Sequence, residues 1–174
     1  MNKMLFGLLT YLLLGCASPA YKIDLESAGN STENNNITVY DKRPDMQLHM
    51  TESGVNGKHT YLFEVNPSLS TTLEGLVKSE MLNAQLNISV DINIQDMEIY
   101  RHVRFAAGDD LSCIVKSSVT VGKSAESLQV ETIAKNNEDG CAPTTIPLKG
   151  KLIINKCLVE HAQDLAQLIS ELDK

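Results

Sequence analysis

Four cysteines and four histidines are the side chains of this 174-residue chain best suited to covalent, metal or acid–base chemistry. Cys16 closes the run Leu12-Leu13-Leu14-Gly15-Cys16, where a small residue precedes a thiol at the end of an apolar stretch. A thiolate in that place is a nucleophile able to form a thioether. Cys113, Cys141 and Cys157 follow at wide spacing. An oxidising compartment permits one disulfide among them, with three pairings open and one thiol left over. Cys141 with Cys157 is the preferred pairing, because it would pin a turn-rich loop to the start of a helix. Cys113 falls on the apolar side of a strand and reads as a small buried residue. Cys157 and His161 stand at i,i+4, a spacing that suits a metal, but two ligands do not make a site.

The remaining candidates are polar clusters. Tyr100, His102 and Arg104 share one strand face with Glu98. Such a face could bind a small ligand; the plainer reading is the wet side of a half-buried sheet. Asp41 and Arg43 could form a site or a turn ion pair, and the ion pair is preferred. Asp109 and Asp110 follow Gly108 and read as a solvated turn rather than a cation site. The chain has no G-x-S-x-G, no H-E-x-x-H, no P-loop and no glycine-rich dinucleotide turn. The expectation is no catalytic residue, no metal and no cofactor.

The stretch before Cys16 gives the chain an address. Lys3 precedes Met4-Leu5-Phe6-Gly7-Leu8-Leu9-Thr10-Tyr11 and the three leucines. That is a basic segment followed by an apolar one too short for a membrane-spanning helix, which needs about 20 residues. It reads as an export signal. The order Leu13-Leu14-Gly15-Cys16 resembles a bacterial lipobox. The resemblance implies a diacylglycerol on the Cys16 thiol, cleavage between Gly15 and Cys16, and acylation of the new amino group. Gly15 admits the peptidase to the bond, and cysteine alone offers the thioether. Buried acyl CH₂ groups contribute about 0.8 kcal/mol each, so several chains anchor stably. Ala17 stands where an Asp tends to retain Gram-negative lipoproteins in the inner membrane, so the pattern resembles outer-membrane sorting.

Composition narrows the partners. The formal net charge of −7 makes nucleic acid a poor partner. No Trp and eight other aromatics leave little for a stacking platform. The partners expected are the membrane, through lipid on Cys16, and an envelope protein.

Three segments follow from these patterns: signal 1–15, lipidated cysteine and flexible tether 16–36, and one domain 37–174. The tether is rich in Ser, Asn and Gly, and 20 such residues span about 25 Å. The domain opens on the β-prone Ile37-Thr38-Val39-Tyr40, stopped by Pro44. Residues 47–55 and 58–65 flank Asn56-Gly57, a two-residue hairpin turn signal. Pro67 then starts a helix whose apolar face is Leu69, Leu73, Leu76, Val77 and Met81. Leu86, Ile88, Val90, Ile92 and Ile94 alternate with polar residues, as in a half-buried strand. The phase changes afterwards: Met97, Ile99, Val103 and Phe105 are apolar, interrupted by Arg101, so a β-bulge is expected near Gln95 and Asp96. Two further alternating runs, through Val121 and through Ala134, complete a three-stranded antiparallel meander. Residues 141–151 read as a loop, and Leu152-Ile153-Ile154 as a short strand. Asn155 would cap a last helix with Leu158, Ala162, Leu165, Ile169 and Leu172 on one face. The fold class expected is α+β, an antiparallel sheet with two helices packed on one face.

With these elements in order, the chain resembles the YajG-type family of small Gram-negative lipoproteins. The resemblance rests on the lipobox at Cys16, Val39-Tyr40-Asp41-Lys42-Arg43 after the tether, and the helix from Pro67. The long alternating strands and the terminal helix also match. It implies an outer-membrane lipoprotein and supplies no catalytic residues. The function expected is a lipid-anchored, non-catalytic interaction module. The alternative is a tethered ligand binder or enzyme using Tyr100, His102 and Arg104.

Overall fold

The computed structural model describes residues 20–25, 36–54, 57–82, 88–104, 108–122, 126–138 and 145–172. Gly15, Cys16, Cys141, Asn56 and Phe105 lie outside them. The described elements are β1 (Tyr21–Asp24), β2 (Ile37–Asp41), β3 (Leu48–Gly54), β4 (Gly57–Asn66), α1 (Leu69–Glu80), β5 (Val90–Arg104), β6 (Gly108–Val121), β7 (Ser127–Glu138) and α2 (Ile146–Leu172). They form a seven-stranded sheet in the order β1-β4-β3-β5-β6-β7, with β2 also paired to β5. Both helices pack on the same face, α1 against β2 and α2 against β7, β6 and β1.

β5 organises the sheet. At 15 residues it is long enough to carry two strands end to end on one edge. β2 pairs in parallel with its first half, Ile37 beside Val90, and β3 with its second, Met50 beside Ile99. The alternation of apolar residues buries Val90, Ile92, Ile94, Met97 and Ile99. The register against β6 shifts between Ile94 and Asp96, so the change of phase in the sequence is a bulge at Gln95. β5, β6 and β7 form the expected antiparallel meander.

The segment from Asp41 to Arg43 makes the break between β2 and β3. Lys42 N donates to Ile94 O at 2.9 Å, where β2 leaves β5. Arg43 then folds back on Asp41: Nε reaches Oδ1 at 2.9 Å and Nη2 reaches Oδ2 at 2.8 Å. Nη2 also donates to the carbonyl of Met46 at 3.1 Å. The fork of two parallel bonds holds the chain off the sheet until β3 rejoins it. The Asp41/Arg43 motif is therefore a nearly buried turn ion pair.

Four expectations change. The sheet is mixed, since β1 with β4, β2 with β5 and β3 with β5 run parallel. Parallel pairing joins distant segments, so local alternation does not reveal it. Tyr21–Asp24 lies within the stretch read as tether but is an edge strand on β4, burying Ile23. Leu152-Ile153-Ile154 is helical, and Asn155 lies inside α2 rather than at its start. Pro147 falls in the first turn of α2, where its missing N–H costs nothing. Gly150 allows close approach there: a Cβ would stand 2.8 Å from Phe63 Cζ. The residues that disguise the segment as a loop are those that let a helix start there and sit tightly on the sheet. At α1, Ser68 is the N-cap and its Oγ accepts from Thr71 N at 3.2 Å.

Candidate functional site

Tyr100, His102 and Arg104 project from β5 on the face away from the helices. Each is engaged by a neighbour. Tyr100 OH donates to Glu98 Oε2 at 2.7 Å, and that bond raises the phenol pKa. His102 Nδ1 lies 3.2 Å from Ser53 Oγ. Arg104 Nη2 pairs with Asp110 Oδ1 at 2.7 Å. The three stand in a row on an exposed strand face, and their polar atoms are taken up locally.

The disulfide joins Cys113 to Cys157, with Cα atoms 6.0 Å apart. Cys157 is therefore not paired with Cys141. The physical reason lies in the helix start. With α2 beginning at Ile146, Cys157 falls mid-helix on the buried stripe and faces the inward Cys113 of β6. Both are wholly buried. Among the described residues no group of three or more His, Cys, Asp or Glu is arranged to hold a metal.

One turn beyond Cys157, His161 enters a polar cluster that spans α2, β6 and β7. Thr132 Oγ1 donates to Asp164 Oδ2 at 2.5 Å. Its remaining capacity is to accept, so the proton on His161 belongs on Nδ1, 2.8 Å from Thr132 Oγ1. Nε2 then accepts from Ser117 Oγ at 2.8 Å. The order serine, imidazole, hydroxyl, carboxylate imitates a hydrolase relay. Burial lowers the His161 pKa from 6.5 to about 4, against an opposing pull from Asp164, so the ring is neutral at pH 7. Ser117 and His161 are both 0% exposed. A nucleophile needs a reacting carbon about 3 Å away. Packed beneath α2, Ser117 has protein there instead. The cluster satisfies buried polar atoms and holds α2 to the sheet.

A second cluster lies at the other end of the helix-covered face. Arg101 is the residue that interrupts the apolar phase of β5, and it points inward. Its Nη1 meets Glu52 Oε2 at 2.5 Å, while Nε and Nη2 reach Asp109 Oδ2 at 2.9 and 2.7 Å. Lys149 Nζ, from the start of α2, also meets Asp109 Oδ2. Asp109 is buried in this network rather than part of a solvated turn. Burial pushes its carboxyl up, but Lys149 and Arg101 together outweigh burial and hold it below the ordinary value. Tyr61 stands beside Glu52, and burial and that carboxylate raise its pKa. Two acids and two bases compensate one another, and the network ties β3, β5, β6 and α2 together.

The solvent side of α2 is different. Leu148, Leu152 and Val159 are 53%, 45% and 38% exposed. With Lys151, Lys156 and Gln163 they border a shallow groove of about 700 Å³.

No protein-family model matches the chain, and no curated protein matches it by sequence. Solved structures do match. Protein XCC0632 from Xanthomonas campestris, described by the family model DUF330, superposes with a TM-score of 0.50 at 7% identity, covering 89% of this chain and 98% of that one. The shared property is the fold. A crystal structure of an uncharacterized protein reaches 0.49 at 8% identity over 85% of this chain and 99% of the other. A minor lipoprotein from Acinetobacter baumannii reaches 0.45 at 10% identity over 79% and 92%.

Proposed function

We propose that this protein is a bacterial envelope lipoprotein, anchored through Cys16 and acting as a non-catalytic interaction module. The observation that carries the reading is the order of Lys3, the apolar run and Gly15-Cys16. The buried Cys113–Cys157 disulfide supports it, because such bonds persist in oxidising compartments. Among the described residues no helix is long and apolar enough to cross a membrane. The YajG-type lipoproteins are the family this reading implies, and Ala17 favours the outer membrane. The non-catalytic part rests on the relay-like cluster, whose serine is sealed beneath α2, and on the ion network, whose charges balance internally. Cells grown with radiolabelled palmitate test the anchor. The wild-type chain should take up label and a Cys16→Ser chain should not; equal labelling of the two, or none in either, overturns the reading.

A further inference from the structure

β7 ends the sheet. Among the described residues β6 is its one strand neighbour, and its other edge runs free for 12 residues. A long free edge is a template for another strand, and soluble proteins usually blunt it. Here the blunting is slight. Lys156 reaches from α2 to the carbonyl of Lys135 at 2.5 Å, and Ile133 stands 51% exposed among Gln129, Glu131 and Lys135.

The register determines which backbone groups face that edge. Val90 N donates to Asn36 O, so the even residues at the start of β5 turn their peptide groups toward β2. Asp91 and Asn93 therefore bond Thr120 and Ser118 of β6. The odd residues of β6 in turn bond the even residues of β7, Ser117 with Val130 and Cys113 with Ala134. The odd residues Gln129, Glu131, Ile133 and Lys135 thus present N–H and C=O outward. The bond from Lys156 to Lys135 O agrees with this parity.

We propose that a second copy of this chain pairs with the free edge of β7, antiparallel, about a two-fold axis at Ile133. Parity requires outward-facing residues to meet one another, and charge selects the centre. An axis at Glu131 would set Glu131 against itself, and an axis at Lys135 would do the same to Lys135. An axis at Ile133 sets Glu131 opposite Lys135 of the other copy twice, with the exposed Ile133 side chains in contact. Lys116 already lies 3.5 Å from Glu131 within one copy, so the new pairs extend a ladder of alternating charge. α2 crosses the opposite face of the sheet: Gly150, near its start, lies against Phe63 of β4 and Ile23 of β1, and His161 reaches Ser117 of β6 and Thr132 of β7. The two copies form a continuous sheet. Lys156 gives up one carbonyl and retains Glu160, 3.9 Å away.

The pairing does not depend on lipid at Cys16, so its test is separate from the labelling experiment. The full chain in membranes, carrying Ile133→Cys, should crosslink to a dimer under mild oxidation. Ile114→Cys, one strand further in, should not rise above the wild-type baseline. In detergent, sedimentation should show Lys135→Glu dimers about tenfold weaker, because two attractive pairs become repulsive. The triple change Lys116→Glu, Glu131→Lys and Lys135→Glu, which inverts the whole ladder, should recover the wild-type constant. A monomer at all concentrations, equal crosslinking at 114 and 133, or no recovery in the triple swap would each overturn the proposal.

Discussion

Two polar clusters lie under α2 on one face of the sheet, and they meet the cost of burial in opposite ways. The network of Glu52, Arg101, Asp109 and Lys149 keeps its charges. Each of its acids meets a base, and Arg101 spans two carboxylates with its fork. The cluster around His161 keeps its imidazole neutral. Desolvation of an imidazolium at a wholly buried position outweighs what Asp164 returns, so hydroxyls satisfy the ring instead. Charge is retained where several partners converge. It is given up where one carboxylate stands beyond an intervening threonine. Both clusters bind the same helix, so α2 is held by ions near its start and by neutral hydrogen bonds and a disulfide further along.

The sharpest way to break this contrast is to unbalance the charged cluster. Asp109→Ala leaves Arg101 and Lys149 buried without their shared carboxylate and should cost about 3–5 kcal/mol in denaturant unfolding. A loss under about 1 kcal/mol would mean the network is effectively solvated.

Acid titration separates the clusters next. The His161 pKa falls from 6.5 in the unfolded chain to about 4 in the folded one, so the unfolded chain binds more protons between those values. Its contribution is complete above pH 6.5 and declines as pH falls toward 4, by about 3 kcal/mol in all. Asp109 has the same sign but acts at lower pH. Its folded pKa lies below 3.8, so its contribution is complete above that pH and is lost only as pH falls further. Unfolding free energies measured across this range should show two successive declines, and His161→Gln should remove the upper one alone.

The smallest effects belong to the outer strand face. Tyr100→Phe and His102→Ala should each change stability by no more than about 0.5 kcal/mol, because their bonds are exposed and replaceable by water. A loss of several kcal/mol at either would show that this face is covered.

Much of this architecture was legible in local pattern. Alternation placed β5, β6 and β7, and the slip of phase located the bulge at Gln95. Helical spacing found the buried faces of α1 and of the second half of α2 as far as Ile169, while Leu172, expected on the same face, is exposed. What stayed hidden depends on neighbours remote in sequence. β1 is too short to stand out from polar surroundings, and β4 supplies its pairing. The start of α2 carries Pro147 and Gly150, which read as loop residues until the close contact with Phe63 explains them. Arg101 was visible as a break in an apolar phase, but its partners come from β3, β6 and α2. Ser117 and Thr132 belong to the alternating runs of β6 and β7, and nothing local joins them to His161. Cys113 was read as an inert buried residue because its partner Cys157 was placed at a helix start.

The claim on which the functional account stands is that the chain matures at Cys16 and carries lipid there. Mass spectrometry of the amino-terminal peptide of protein purified from membranes tests it most directly. The account predicts a peptide that begins at Cys16 and bears both a thioether-linked diacylglycerol and an amide-linked acyl chain. An unmodified peptide beginning at Met1, or a cut elsewhere that leaves a bare Cys16 thiol, would contradict it.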